Sequence, residues 1–285
     1  MIIGIEGTGS QDWDQYDLRR TFVRKVLEQS HEDNKFYFIG PNNEGSDGDA
    51  IIKGAWRQLH IGGMIDSRII LVGYSRGAAY CMKLAEMWQK AWNGAKPIEV
   101  MVLFDAVARN KYSDSVALSL KAWKEGWTEV VVPAEIPASV SLTLHAVRNP
   151  MAGSRAGFGN VGLSVQDRLT TTMKIRQFMC SHGAMGGTPY DAIAEEGVHF
   201  FKTYAIPMDS NNLLNRTMPS DPRYEGGPVR PTTDLRQDKI GANLVGRWMW
   251  DLMKVHGVLS RSADYARNAL PFTGSRVPGE SNVVR

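Results

Sequence analysis

Cysteine is scarce in this sequence, which has two, Cys81 and Cys180, among 285 residues. Neither belongs to a C-x-x-C pair or to a spacing typical of metal ligands, so we expect no disulfide framework and no metal site. Cys81 lies in an apolar helical stretch, where a cysteine behaves as a small buried hydrophobic residue. Nothing in this pattern requires an oxidising compartment.

Long hydrophobic runs are also missing. No apolar stretch reaches the ~18 residues needed to cross a bilayer, so we expect no integral membrane segment. The first residues, 1–6, carry neither a basic segment nor a long apolar segment of the kind found in signal peptides. We therefore expect a cytoplasmic protein, with export by a route that reads no cleavable signal as the alternative.

An excess of charge of one sign is absent too. The 33 basic and 30 acidic residues leave a net charge of +3, spread along the chain. This charge is too small and too diffuse to indicate a nucleic-acid partner. The 43% hydrophobic content is enough for one sizeable core.

The first 105 residues alternate between apolar strands and amphipathic helices. Strands buried on both faces and separated by helices are typical of a parallel sheet covered on each side. The predicted fold class is therefore α/β, a mostly parallel central sheet with helices on both faces in three layers. The predicted strands are 2–6, 35–39, 68–73 and 98–104, and the predicted helices are 12–29, 49–60 and 76–92.

The pattern weakens after residue 105. Strands are expected at 130–132, 139–147 and 175–180, and helices at 190–204 and 240–258. We interpret residues 1–270 as a single domain with an irregular insertion at about 205–235, which is rich in Pro, Asn, Asp and Arg. Residues 271–285 are predicted to form a flexible tail.

Gly73-Tyr74-Ser75-Arg76-Gly77 matches the G-x-S-x-G motif of a nucleophile elbow. The context fits, because an apolar strand runs into the motif and a helix leaves it. Such a turn holds the serine in a strained backbone conformation with its hydroxyl above the strand ends. Ser75 is therefore the predicted nucleophile, and the backbone N–H of Arg76 is a predicted oxyanion donor.

A second glycine-containing loop, Gly7-Thr8-Gly9, follows the first strand. Backbone N–H groups of Gly7 or Thr8 are candidates for the second oxyanion donor. A plain turn is the simpler alternative. A nucleotide site is disfavoured because position 12 is aspartate, which breaks the G-x-G-x-x-G pattern, and no Gly-Lys-Ser/Thr ending occurs.

The candidate general base is His182, which follows a late predicted strand and opens a glycine-rich loop. In one large class of serine hydrolases the order along the chain is serine, acid, histidine. His31 and His60 precede Ser75 and do not fit that order. Of the rest, His145 is expected to pack inside a strand, and His199 and His256 are expected to lie on helices.

Asp105 is the candidate acid, because it ends the strand that follows the nucleophile helix. An acid there lies at the same edge of the sheet as Ser75 and could orient the imidazole. Its alternative role is to cap the following segment. Asp167 and Asp191 are the other candidates, since both are closer to His182 in sequence.

Four motifs in order resemble bacterial α/β-hydrolases that include phospholipase-type effectors of type VI secretion and uncharacterised relatives. They cover roughly residues 5–187. The resemblance implies an α/β-hydrolase fold and ester or lipid hydrolysis without a cofactor. The matching segments are Glu6-Gly7-Thr8, Gly73-Tyr74-Ser75-Arg76-Gly77-Ala78, Phe104-Asp105-Ala106-Val107 and His182-Gly183-Ala184-Met185-Gly186-Gly187.

The chain departs from this family at two places. Glu6 stands where the family usually has aspartate, and Arg148-Asn149-Pro150 stands where an acidic residue often follows the strand. If that acidic residue is the catalytic acid in relatives, either Asp105 takes its role here or the triad of serine, histidine and acid is broken.

The predicted function is thus a serine hydrolase acting on a small-molecule ester or lipid, and the alternative is a catalytically inactive binding or structural protein of the same fold.

Overall fold

The structure, a computed structural model, describes residues 1–10, 18–42, 45–66, 68–92, 95–108, 130–149, 152, 160–188 and 235–284. Within these ranges lie seven strands and five helices. In chain order they are β1 (Ile2–Ile5), α1 (Phe22–Gln29), β2 (Lys35–Phe38), α2 (Gly48–Ile65), β3 (Ile70–Tyr74), α3 (Arg76–Trp92), β4 (Ile98–Phe104), β5 (Val140–Arg148), β6 (Thr172–Phe178), α4 (His182–Met185), α5 (Leu235–Val255) and β7 (Asn282–Val283).

The strands form one seven-stranded sheet in the order β6-β5-β4-β3-β1-β2-β7. All neighbouring pairs are parallel except β2 and β7, which are antiparallel. The chain builds outwards from β1 in one direction to β2 and then returns to β3 on the other side of β1. The carboxyl ends of β1 and β3 therefore flank the point where the strand order reverses, which is where open α/β sheets bind ligands.

Apolar residues pack in two separate clusters, one on each face of the sheet. Helices α1 and α5 cover one face, with Phe22, Val26 and Trp250 in its cluster. Helices α2 and α3 cover the other, with Leu59 and Trp88 in its cluster. This arrangement confirms the predicted three-layer α/β sandwich.

Several predicted elements agree with the structure to within a few residues. Helix α3 and strand β4 have the predicted bounds, and α2 continues five residues beyond its predicted end. The predicted strand at 130–132 is wrong, since these residues have no regular secondary structure. The predicted helix at 190–204 and nearly all of the insertion at 205–235 lie outside the described residues.

The end of the chain differs from the predicted flexible tail. Asn282 and Val283 pair with Tyr37 and Phe36 at the edge of the sheet. Val284 is buried, and its N–H donates to the carbonyl of Lys35. A short edge strand carries too few residues for alternation to be recognised in the sequence, which explains why composition alone indicated a tail. The limits of the single domain remain a prediction.

Candidate active site

Ser75 occupies a sharp turn between β3 and α3. Its φ is +57°, in the left-handed region that residues other than glycine seldom adopt. Its N–H donates to the carbonyl of Phe104 at 3.0 Å, and its own carbonyl accepts from Ala78 and Val107. These backbone bonds hold the strained residue in place, as expected for a nucleophile elbow.

The two glycines of the motif are required by the backbone that surrounds them. A Cβ added at Gly73 would lie 2.5 Å from the Cα of Ala78 in α3. A Cβ added at Gly77 would overlap the carbonyl oxygens of Ile5 and Glu6 at the end of β1. Because backbone atoms cannot move aside as a flexible side chain can, both positions exclude larger residues.

Ser75, His182 and Asp105 lie in one hydrogen-bonded row above the sheet. His182 Nε2 is 2.8 Å from Ser75 Oγ, and His182 Nδ1 is 2.6 Å from Asp105 Oδ2. All three side chains are buried. A carboxylate on Nδ1 keeps the proton on that nitrogen and leaves Nε2 able to accept the hydroxyl proton, as general-base activation requires.

Asp105 has a constrained backbone as well as a crowded carboxylate. Its φ is +47°, and its N–H donates to the carbonyl of Ala146. Oxygen Oδ1 accepts from the backbone N–H of Arg148 at 3.0 Å and from Nδ2 of Asn160 at 2.7 Å. The carboxylate is thereby oriented so that its second oxygen faces His182.

The ionisation of Asp105 reflects opposing effects. Burial by itself raises the pKa of the carboxyl, but the nearby charge of Arg148 and the hydrogen bond with His182 outweigh burial and hold that pKa well below its usual range. Asp105 is therefore a carboxylate at neutral pH. It can stabilise a positively charged His182.

His182 is the first residue of α4, a single helical turn, and Asp238 holds that turn in position. Ser181 caps the helix by accepting from the N–H of Ala184 at 3.2 Å. The same serine donates its N–H and its hydroxyl to the two oxygens of Asp238, at 2.6 and 2.8 Å. Tyr74 donates its hydroxyl to the carbonyl of His182, and the two rings lie 5.0 Å apart.

Gly7 lies against Ser75. A Cβ added there would be 3.0 Å from Ser75 Cβ and 2.5 Å from the ring of Tyr74, so only glycine fits. Thr8 follows it at the same edge of the sheet and is half-buried. Arg76 begins α3, so its N–H lies at the positive end of the helix dipole. Gly7 thus lies beside Ser75 and Arg76 follows it in the chain, and the role of Gly7, Thr8 and Arg76 as oxyanion donors stays a prediction.

Glu6, immediately before this loop, is fully buried on the side of α1. Its Oε1 accepts from Thr21 Oγ1 at 2.5 Å and from the hydroxyl of Tyr37 at 3.1 Å, whereas Oε2 has no partner. Burial raises the pKa of Glu6 to about 7, although its interactions with Thr21, Tyr37, the backbone of Gly7 and the charge of Arg24 lower it. Through its bonds with Thr21 and Tyr37 the carboxyl links the end of β1 to the residue that caps α1 and to β2.

The competing candidates occupy other positions. Asp167 accepts from Leu169 and Thr171 in a surface turn and makes no contact with His182. Asp191 and His199 lie outside the described residues. His145 is buried in β5, and burial lowers its pKa to about 4. Its ring links the N–H of Ala106 to the carbonyl of Gly162 and so supports the segment around Asp105.

Sequence reasoning missed three groups that shape the site. Asn160 and Asp238 stand in no recognisable motif, and nothing in the sequence indicates that they reach Asp105 and Ser181. Arg148 was noted as a departure from the family pattern, but its position beside Asp105 was not foreseen. The signal was present in part, since a cation at the end of a parallel strand next to Asp105 must lie near it.

Comparison with models of protein families gives no match for this chain. No curated protein matches it in sequence. Similar solved structures include the RedJ thioesterase of the prodiginine pathway in Streptomyces coelicolor (11% identity, 69% of this chain and 85% of that chain, TM-score 0.34). An uncharacterized protein from Pseudomonas aeruginosa shares 13% identity (96% of this chain, 56% of that chain, TM-score 0.38).

Lipase B of Aspergillus fumigatus is also similar, at 13% identity over 96% of this chain and 66% of that chain, with a TM-score of 0.36. Helices long and apolar enough to cross a membrane are not found in the part of the chain that the structure describes. Nor do those residues contain three clustered side chains able to bind a metal.

Proposed function

We propose that this protein is a serine hydrolase that cleaves carboxylic esters through an acyl-enzyme on Ser75. The observation that carries the proposal is the row of contacts from Ser75 Oγ to His182 Nε2 and from His182 Nδ1 to Asp105, at 2.8 and 2.6 Å. Neutral serine is a weak nucleophile, and a histidine held by a carboxylate activates it.

In the acylation step, Ser75 Oγ attacks the ester carbonyl while His182 Nε2 takes the hydroxyl proton. The tetrahedral oxyanion accepts from the N–H of Arg76 and from that of Gly7 or Thr8. His182 then returns the proton to the leaving alcohol as the C–O bond breaks. Asp105 stabilises the transient imidazolium and does not itself become protonated.

Deacylation repeats these steps with water. His182 removes a proton from water, the resulting hydroxide attacks the acyl carbonyl, and the proton passes to Ser75 Oγ as the acid is released. General-base catalysis contributes a factor of about 10²–10⁴, and one oxyanion donor contributes a further ~10²–10³. The proposed steps require no cofactor.

Lipid esters are the proposed substrate class, and the resemblance of four motifs to type VI secretion lipases is what favours them. Membership of that effector family is a proposal on the same basis. A cytoplasmic site of action is a separate proposal that does not rest on this resemblance. The alternative is a binding or structural protein that retains the elbow without turnover.

Ser75→Ala tests the mechanism. We expect hydrolysis of a short p-nitrophenyl ester to fall by about 10⁴-fold or more, since the nucleophile is lost while the buried methyl group fits the site. A fluorophosphonate probe should label the wild type and fail to label Ser75→Ala.

The matched control is Ser164→Ala, which removes an exposed serine hydroxyl that donates to Glu135. It should leave turnover and labelling unchanged. A wild-type protein that is folded but neither labelled nor active would refute the proposal and favour the non-catalytic alternative.

A further inference from the structure

Arg148 is a buried cation in direct contact with the candidate catalytic acid. Its side chain is 3% exposed, and Nε lies 3.8 Å from Asp105 Oδ2, the oxygen that faces His182. Arginine is seldom buried unless it is paired, and one partner here is a carboxylate already engaged by a histidine. Arg148 also donates its backbone N–H to Asp105 Oδ1 at 3.0 Å.

Asn160 joins the two charged groups. Its Nδ2 donates to Asp105 Oδ1 at 2.7 Å, and its Oδ1 accepts from an Nη of Arg148 at 3.3 Å. Because a carboxylate can only accept and a guanidinium can only donate, these partners determine the orientation of the amide. Asp105 is therefore held on one oxygen by the main chain and Asn160, while the other oxygen bonds to His182 and lies near Arg148 Nε.

We propose that Arg148 is a positioning residue of the active site, which holds Asp105 through Asn160. Its fixed positive charge also lowers the pH at which His182 becomes protonated. This inference rests on the proposed function, because it assigns significance to the charge on His182 as the general base.

The physical reason is that Arg148 and a protonated His182 would share one carboxylate oxygen. Arg148 Nε and His182 Nδ1 approach that oxygen at 3.8 and 2.6 Å, so the two nitrogens are less than about 7 Å apart. At this separation, within a buried site, repulsion between two positive charges is only partly screened. The carboxylate still orients the ring, but the net charge that favours an imidazolium is reduced.

Other titratable groups around His182 among the described residues do not supply this effect. His145 on β5 is uncharged near neutral pH, because burial lowers its pKa to about 4. Tyr74 on β3 and Cys180, just before α4, are neutral groups when protonated. Asp238 on α5 is a carboxyl group, and its charge would favour the imidazolium rather than oppose it.

Replacing the cation with a neutral side chain of similar length tests the proposal. In Arg148→Met we expect the titration midpoint of the His182 ring, followed by NMR, to rise by about one pH unit or more. His182→Asn assigns the resonance. The acidic limb of the pH profile of kcat/KM for a p-nitrophenyl ester should move in the same direction.

Two variants serve as controls. Arg148→Lys keeps the charge and loses the bond to Asn160, so its midpoint should stay close to that of the wild type. Arg176→Met removes an exposed cation from β6, at the position paired with Ala146 of β5, and should leave the midpoint unchanged. Should Arg148→Met fail to fold, Arg148→Gln, which keeps a donor towards Asn160, is expected to give the same rise.

An unchanged midpoint in the neutral variants would overturn the proposal, as would an equal rise in Arg148→Lys, because charge would then not be the cause. The NMR measurement does not depend on turnover. Absence of esterase activity in the wild type would therefore count against the proposed function, whereas an unchanged midpoint would count against the role of Arg148.

Discussion

Asp238 is expected to control the position of His182 through the neighbouring Ser181. It lies on α5, is fully buried, and accepts two hydrogen bonds from Ser181, the residue before His182. The turn that carries His182 has only four helical residues, too few to be stable without such support. We predict that Asp238→Ala reduces both stability and turnover.

The magnitude follows from the two contacts, 2.6 and 2.8 Å long. Hydrogen bonds to a charged group contribute about 1.5–3 kcal/mol each, and removing Asp238 leaves the N–H and hydroxyl of Ser181 without their buried acceptor. We expect the free energy of unfolding to fall by about 3–5 kcal/mol. A displacement of the imidazole of about 1 Å would lower kcat/KM by about 10²-fold.

Asp238→Asn separates the effect of charge from that of geometry. Asparagine can still accept from the N–H of Ser181, and its amide can donate to the hydroxyl oxygen. We therefore expect smaller losses, about 1–2 kcal/mol in stability and about tenfold in kcat/KM. This variant also keeps the prediction testable if the alanine variant does not fold.

The assays are urea unfolding followed by circular dichroism, and p-nitrophenyl ester hydrolysis at a temperature where every variant is folded. Asp251→Ala is the control, since Asp251 is exposed on the same helix, and it should change stability by less than about 0.5 kcal/mol. An Asp238→Ala protein with wild-type kcat/KM and wild-type stability would refute the reasoning.

Two further predictions concern buried carboxyl groups. In Asp105→Asn, Oδ1 still accepts from Arg148 and Asn160, so the new amide faces His182 Nδ1 and moves the ring proton to Nε2. We expect kcat/KM to fall by about 10⁴-fold, and near-normal turnover would exclude Asp105 as the acid. The free energy of unfolding should also fall, by up to about 3–5 kcal/mol, because the buried charge of Arg148 loses its carboxylate partner. The pKa of Glu6 is raised from 4.5 to about 7 in the folded protein. The contribution of Glu6 to the free energy of unfolding is therefore fully present below pH 4.5 and is lost as pH rises through 7. Glu6→Gln should remove this loss, making the variant more stable than the wild type at pH 8 by about 3 kcal/mol in urea unfolding; equal stability at pH 5 and pH 8 in the wild type would contradict this.

Local patterns were sufficient to predict much of the fold. Four apolar strands before residue 105, each followed by a turn, indicated a parallel sheet because a strand buried on both faces has no polar alternation. The elbow at Ser75 was also predictable from a local pattern. Nearby backbone atoms exclude any residue larger than glycine at positions 73 and 77, and this requirement appears in the sequence as a short motif around the serine. Residues 130–132 were misjudged because three valines in a row favour a strand only when a partner strand is available.

The sequence by itself determined which residues could react and that Ser75, Asp105 and His182 each follow a strand, since strand ends and glycine loops are local features. Only the tertiary structure decided which groups surround them. Arg148, Asn160 and Asp238 reach the site from β5, from the loop before β6 and from α5, and no local pattern records a contact between residues so far apart along the chain. The charge around His182 and the support of its loop depend on those contacts, and they exist only once the sheet has aligned its strand ends and α5 has packed beside α4.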